Sequence, residues 1–377
     1  MPFVFPPTST CLLDSHVIDF LIRNLAPGRL FTGVELLLSC LILVVAIIYI
    51  YLWVKKKYFL TVKRLSHNLE VWLTGIVMDE SEALPPIPGK LRRALKNKHT
   101  RQFIIDELVR FKKNLAGEAS AKISVLYEQW QLKNDSIHKL KSSQWHIRAK
   151  GIQELYLMHA KDVLNQISPF TNSRNDYVRM EAQTGVVYLT GFEGLQFLDD
   201  FTLPLTDWQQ LKLLEQLRQA KNKSGLADNI IRWLHADNDT VIIFALKLAG
   251  EYQVFEASAA IKALLKSANE KVRAEAIKVL IKLAEDDYQP LLLDVLTNES
   301  PGNQLIILDT LTPSISESDK QKLIRLLDSP DNLIKLHAAI SLVRCNREGM
   351  QVLKERALLQ PEPFNRIVSH IQSVSVL

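Results

Sequence analysis

Glycine is scarce in this chain, 13 residues in 377, and stretches in which β-branched residues alternate with polar ones are rare. Both absences disfavour sheets and point to an all-α class. Cysteine is scarcer still. Cys11, Cys40 and Cys345 stand far apart, form no disulfide framework and match no zinc spacing. There is no HExxH, no His/Cys cluster and no glycine-rich phosphate loop, and the nine histidines are scattered. His146 and His159 flank one helix with no nucleophile beside them. The acidic pairs Asp199-Asp200 and Asp286-Asp287 fall at helix ends, where aspartate is expected for helix-dipole reasons alone. The expectation is therefore no enzyme: no catalytic residue, no metal ligand and no cofactor.

One stretch lacks charge altogether. Residues 36–54 (LLLSCLILVVAIIYIYLWV) lie between Glu35 and the run Lys55-Lys56-Lys57. A helix of that length covers about 28 Å, close to the hydrocarbon thickness of a bilayer. Tyr49, Tyr51 and Trp53 crowd its C-terminal end, where amphipathic rings suit the headgroup level. A cleavable signal peptide needs a shorter apolar core and a small-residue cleavage site, and this core runs straight into lysines. The sequence predicts a single-pass transmembrane helix over residues 33–54. Arg23 and Arg29 precede it, whereas Lys55, Lys56, Lys57, Lys63 and Arg64 follow. The positive-inside rule then puts the N-terminus outside and the C-terminal bulk in the cytoplasm.

Residues 1–32 are too short for a domain; Leu13, Val17, Leu21 and Leu25 suggest a short amphipathic helix ending at the breaker Ala26-Pro27-Gly28. Residues 55–142 read as a basic juxtamembrane region. Between Lys55 and Lys113 stand 14 Lys/Arg against 6 Asp/Glu, so this segment carries +8 and the rest of the chain −3, summing to the net +5. It begins with a helix bearing Leu60, Leu65, Leu69 and Leu73 on one side, then an acidic, proline-rich linker over residues 79–89. The run Lys90, Arg92, Arg93, Lys96, Lys98 and Arg101 follows, a candidate contact for anionic lipid headgroups or simply a solvated helix face. Nothing there resembles a stacking platform or a recognition helix, so nucleic acid is a poor fit. Two further helices are expected near residues 101–115 and 118–132.

From residue 143 the chain repeats. A β-branched or leucine anchor recurs at Ile147, Val178, Leu211, Val241, Val272, Leu305 and Ile334, with gaps of 31, 33, 30, 31, 33 and 29 residues. Two to four positions earlier stands a capping residue, as in Asp176, Asp207, Asn238, Asn269, Asn303 and Asp331. One turn after the anchor comes a small residue: Gly151, Ala182, Ala245, Ala276 or Ala338. The next position after the anchor is basic in five units (Arg148, Arg179, Lys212, Arg273, Lys335), which we read as pairing with the preceding loop or the neighbouring unit. Each unit is a helical hairpin that cannot bury its apolar face alone, so the hairpins stack into an α-solenoid over residues 143–377, with Ile367 marking a capping half-repeat.

The units NDYVRMEA (175–182), NEKVRAEA (269–276) and DNLIKLHA (331–338) resemble the second helix of HEAT repeats, and the short period is similar to the bacterial HEAT-like form also found in phycobilin lyases. That resemblance implies a binding scaffold of bacterial form, with a protein partner on the solenoid surface, and the span puts it at the plasma membrane. Its alternative is a lyase-like factor built on the same solenoid.

Overall fold

The computed structural model describes residues 27–78, 85–115, 117–218, 220, 222–223, 225–283, 288–313, 315–346 and 348–374. The suggested helix over 12–25, Cys11, the acidic part of the linker and Asp286-Asp287 lie outside them. The described residues are helical, without strands, and divide into two compact units, one ending at Ile123 and one beginning at Ser124.

In the first unit one helix, α1 (Pro27–Met78), runs for 52 residues. Pro27 is its first residue rather than a breaker: at that position the missing N–H is not needed and the fixed φ suits a helix. Within the apolar stretch the side chains are exposed throughout, and α1 is the one helix among the described residues long and apolar enough to cross a membrane. Ser39 Oγ donates to the Glu35 carbonyl (2.8 Å), so its hydroxyl is satisfied by the helix itself. The helix does not stop at Val54. It continues through the three lysines, and two of them lie over rings of the preceding turn: Lys55 over Tyr51 (5.7 Å) and Lys57 over Trp53 (5.3 Å).

Beyond residue 61 the same helix becomes amphipathic. Leu65, Leu69, Leu73 and Ile76 are buried at spacings of four, four and three, whereas Leu60 stays exposed. Against this part of α1 pack α2 (Gly89–Ala94) and α3 (Lys98–Lys113). Leu91 and the run Ile104, Ile105 and Leu108 supply their apolar faces. Lys112 is buried here too, and loss of hydration lowers its pKa to about 8.

In the second unit helices pair into hairpins. The helix α4 (Gly117–Gln129) leads into α5 (Leu132–Leu140), which packs on α6 (Trp145–Leu157). Hairpin stacking therefore begins at Leu132, ahead of residue 143. The second hairpin pairs the segment 161–172, with α7 (Leu164–Ile167) between two 3₁₀ turns, against α8 (Asp176–Thr190). The third pairs the 3₁₀ stretch Gly191–Asp200 with α9 (Asp207–Leu217). Four more follow: α10 (Leu226–Trp233) with α11 (Asp239–Tyr252), α12 (Ser258–Ala263) with α13 (Glu270–Leu283), α14 (Tyr288–Val295) with α15 (Pro301–Thr310), and α16 (Glu317–Leu326) with α17 (Asn332–Cys345). The eighth, α18 (Gly349–Leu359) with α19 (Pro361–Val374), is a complete hairpin rather than half of one. Phe364, Ile367 and Ile371 face inward, while Asn365, Arg366, Ser369 and His370 are exposed, the polar outer face a terminal repeat requires. One core runs from Val187 to Ile371, and a smaller one joins the first two hairpins around Ile152 and Val178. The fold is an all-α solenoid.

Candidate interaction surface

Aligned by their caps, the second helices share one register. The side chains of Asn175, Thr206, Asn238, Asn269 and Asp331 accept a backbone N–H two or three residues on. Asp176 and Asp207 are thus first-turn residues rather than caps. The third helical position is the anchor, buried everywhere except at the partly exposed Ile147, and it falls at Ile147, Val178, Gln209, Val241, Val272, Asn303 and Ile334, separated by 31, 31, 32, 31, 31 and 31 positions. Leu211 and Leu305 are not anchors. In the third and sixth hairpins that role belongs to polar residues with their own partners. Gln209 closes a capping box with Thr206, and Asn303 donates to Glu299 (2.8 Å). Where the anchor is polar, the small residue one turn on is replaced by the larger Leu213 or Ile307, both buried.

The fourth position explains the recurrent basic residue. Arg148, Arg179 and Arg273 each reach back six residues to donate to the carbonyl of Ser142, Ser173 and Ser267 respectively. Gln210 and Gln304 do the same work with an amide, donating to the carbonyls of Leu205 (3.0 Å) and Leu296 (3.1 Å). This clamp ties these five second helices to the loops that enter them and satisfies loop carbonyls. Lys212 belongs to another position; its ammonium lies 5.5 Å from the Trp208 ring.

Ion pairs also cross between neighbouring hairpins. Lys133–Asp162 (3.0 Å), Arg232–Asp199 (2.9 Å), Lys322–Asp294 (2.7 Å) and Arg356–Asp328 join first helices. Lys247–Asp207 (3.2 Å) and Lys282–Glu251 (3.1 Å) join second helices, as does a hydrogen bond between His337 Nδ1 and the Asp309 carboxylate. The most buried is Arg273–Glu299 (2.7 Å), between the fifth and sixth hairpins. Burial alone would raise the Glu299 pKa, but the hydrogen bonds from Arg273 and Asn303 outweigh it and hold the carboxyl below its usual range.

The fifth position is apolar yet mostly only partly covered. It reads Ala149, Met180, Leu211, Ile243, Ala274, Leu305 and Leu336, apolar in seven successive helices. Ala149 is buried, Leu211 is exposed and the other five are partly exposed. The result is a continuous apolar stripe along the face of the second helices. Sequence reading missed it, because in two hairpins it had been taken for the core.

Sites with more chemical appearance turn out to be structural. Ser136 and Lys139 both donate to the Glu154 carboxylate, joining α5 to α6 in a buried network, and burial pushes the neighbouring Tyr127 hydroxyl far above its ordinary pKa. His146 packs edge-on against Trp145 at the surface, and His159 lies 5.0 Å from the Tyr188 ring at the left-handed residue (φ 59°) that ends α6. Asp199 accepts from Arg232 and from the Trp233 indole (2.6 Å), so it belongs to a first-helix contact. Of the basic run, Lys90, Arg92, Arg93, Lys96 and Lys98 are exposed on α2 and its flanks. Arg101 is partly buried and donates to the Leu95 carbonyl (3.1 Å) at the end of α2. Among the described residues no group of three or more His, Cys, Asp or Glu is placed to hold a metal ion.

Residues 257–343 match the family model of HEAT repeats, a span that covers the fifth to seventh hairpins. No curated protein matches the sequence. Among solved structures, an engineered protein is similar at 12% identity and a TM-score of 0.36, over 75% of this chain and 87% of its own. A designed armadillo repeat protein is similar at 16% identity and a TM-score of 0.29, over 56% of this chain and 99% of its own. Human deoxyhypusine hydroxylase in complex with glycerol is similar at 16% identity and a TM-score of 0.26, over 77% and 98%. The chain is an α-solenoid whose residues 257–343 match HEAT repeats.

Proposed function

We propose that this protein is a membrane-anchored scaffold that holds a partner protein along the face of its second helices. The observation that carries the reading is the apolar stripe from Met180 to Leu336, which the fold leaves open to solvent at one register of six successive helices. An apolar row of that length that keeps solvent-facing surface, although Ile243, Leu305 and Leu336 also pack against the core, is what a repeat scaffold presents to another protein. Residues 33–54 are the span in this reading, with the N-terminus outside and the repeats in the cytoplasm of a bacterial cell. Tethering the repeats to the membrane then raises the local concentration of the partner there.

Lipid contact follows from where the basic residues fall along α1. Lys55, Lys56 and Lys57 sit at the headgroup level directly after the span. The α2 helix packs on the part of α1 from Leu65 onward, about 16 Å or more further along a helix axis. A stalk standing along the bilayer normal puts Lys90, Arg92, Arg93, Lys96, Lys98 and Arg101 beyond one Debye length, roughly 8–10 Å, of the surface. We therefore assign lipid attraction to the lysine triplet and a solvated face to the α2 run. Liposome binding that survives neutralisation of Arg92, Arg93, Lys96 and Lys98 but falls on neutralisation of the triplet fits this assignment; the reverse pattern sinks it.

The test of the scaffold itself is crosslinking and affinity purification from solubilised membranes. The wild-type chain is compared with a Leu211→Asp, Met180→Gln variant whose circular dichroism is unchanged. A stable partner recovered with the first and lost with the second is the expected result. Equal recovery removes the stripe from the function.

A further inference from the structure

The first turns of the second helices line one edge of the stack, and three of the side chains there are large exposed aromatic rings. Trp145 and Tyr177, on the first and second hairpins, stack with ring centroids 4.9 Å apart and planes 23° from parallel. Trp208 holds the same edge on the third. Their exposures are 46%, 58% and 59%, and Leu211, less than one turn beyond Trp208, is 57% exposed. Tryptophan and tyrosine carry more binding energy per residue than other side chains, and three of them left in solvent side by side mark a docking surface.

Charge selects the occupant. An acid precedes the ring in two of the three hairpins, Asp176 before Tyr177 and Asp207 before Trp208. These two are countered within the fold by Arg179 (2.7 Å) and Lys247 (3.2 Å). The edge then runs into a groove of about 920 Å³ between the third, fourth and fifth hairpins, whose lining includes Asp200, Asp237, Asp239, Asn269 and Lys271. Asn269 donates to Asp239 (2.7 Å), and no ion pair reaches Asp200, Asp237 or Asp239 among the described residues. Arg232 also lines the groove but is committed to Asp199, which leaves Lys271 against three carboxylates. Ring faces nearby already accept cations: the Lys212 ammonium stands over Trp208, and the Arg148 guanidinium lies 5.3 Å from the Phe170 ring.

We propose that this edge docks an extended, arginine- or lysine-rich segment of a partner protein. The cationic heads sit against Asp200, Asp237 and Asp239, and further cations or their stems lie on Trp145, Tyr177 and Trp208. The spacing is compatible. A polyproline II segment has three residues per turn and advances about 3.1 Å per residue, so every third side chain lies on one face about 9 Å from the last. Packed helices stand ~8–10 Å apart, so every third residue meets a successive hairpin. This rests on the scaffold reading and names the chemistry of the partner.

The experiment uses the full-length chain in uncharged detergent micelles and three labelled twelve-residue peptides, followed by fluorescence anisotropy. One peptide has arginine at every third position, one has glutamate there, and one is neutral and proline-rich. The arginine peptide is expected to bind at least tenfold more tightly than the other two and to weaken steeply with salt. Tyr177→Ser with Trp208→Ser, and separately Asp200→Asn with Asp237→Asn, are each expected to cut its affinity at least tenfold. All four side chains are at the surface, so circular dichroism of these variants should match the wild type. Binding of the glutamate or proline-rich peptide as tightly as the arginine peptide overturns the proposal, and so does arginine-peptide binding that both variants retain. If no peptide discriminates while partner recovery still depends on Met180 and Leu211, this edge is wrong and the scaffold reading stands.

Discussion

Replacing Arg273 with methionine should be among the most damaging single changes in the repeats. The guanidinium donates to Glu299 (2.7 Å) and to the carbonyls of Ser267 (2.9 Å) and Ala268 (3.2 Å). The Glu299 side chain is only 4% exposed, and its other side-chain partner is the amide of Asn303. Methionine keeps the apolar stem but strands a buried carboxylate. Removing one partner of a buried pair costs ~3–5 kcal/mol, and the partial exposure of Arg273 places this case near the lower end. Adding Glu299→Gln removes the stranded charge and should return ~1–2 kcal/mol of the loss.

The pH dependence separates this account from lost packing. In the wild type the Glu299 pKa lies below its unfolded value. Its contribution is then fully present above the unfolded carboxylate pKa and is lost as pH falls through the folded one. Without Arg273 burial dominates and the folded pKa rises above the unfolded value, so protonation favours the folded variant. The gap between the two proteins should therefore narrow as pH falls from 7 toward 4. Repeat arrays do not unfold in one step, so the assay is amide hydrogen exchange over α13, α14 and α15, corrected for intrinsic rates. Equal protection in both proteins at pH 7, or a gap that ignores pH, would refute the reasoning.

Three further outcomes are expected. A Cβ at Gly185 would lie 2.7 Å from a ring carbon of Tyr156, so Gly185→Ala should cost ~1–3 kcal/mol by overpacking; Gly75→Ala, in open space inside α1, should stabilise by ~0.5–1 kcal/mol, and amide hydrogen exchange over α8 and over α1 reads each against the wild type. Spin labels at Val54 and Val71, in a chain freed of its native cysteines, should report one narrow distance of about 26 Å between the helix positions; a broad distribution would mean that α1 breaks after the lysines. Lys112 has a folded pKa of about 8 against an ordinary 10.5. The folded state thus binds fewer protons between those values, and the first unit should gain stability as pH rises through that window, with the penalty fully present below it. Lys112→Met should abolish the slope, measured as amide protection of α3.

Much of this architecture is legible without coordinates. The apolar stretch, the caps and the period come from local rules: charge-free length, side chains that accept first-turn N–H groups, and apolar residues at helical spacing. What escapes is whatever another rule fills. Pattern reading takes the nearest apolar residue as the anchor, so Gln209 and Asn303 disappear behind Leu211 and Leu305, and the period looks irregular when it is nearly constant. That same error hides the stripe. The continuity of α1 escapes for a different reason: the span to Val54 and the helix that ends at Met78 look like two elements, but backbone hydrogen bonding ignores a change of polarity, and nothing between Lys55 and Met78 breaks the helix. The aromatic edge is invisible in one dimension, because it exists only when residues 31 or 32 positions apart are brought side by side.

The two polar anchors bear on how the array holds together. A buried valine or isoleucine at the third position brings about 1.5–3 kcal/mol of apolar burial to its hairpin. Gln209 and Asn303 forgo that and gain hydrogen bonds worth about 1 kcal/mol each net. Hairpins three and six are thus intrinsically weaker, and their stability is carried by directional bonds to neighbours. In the third, Asn238 donates to the carbonyls of Phe201 (3.0 Å) and Leu203 (2.8 Å), and the Thr240 hydroxyl accepts from the Leu205 N–H (2.9 Å). In the sixth, Arg273 holds Glu299 from one side and Ser341 donates to the Leu308 carbonyl (2.7 Å) from the other. Such bonds hold only while the next hairpin is in place. A repeat array built this way couples its members more strongly at those two points than apolar stacking alone would, since opening one neighbour removes the partner that satisfies the polar anchor's loop. The third hairpin is also where the exposed aromatic edge meets the acidic groove, so a segment docked there would bridge one of the two hairpins that rely on a polar anchor.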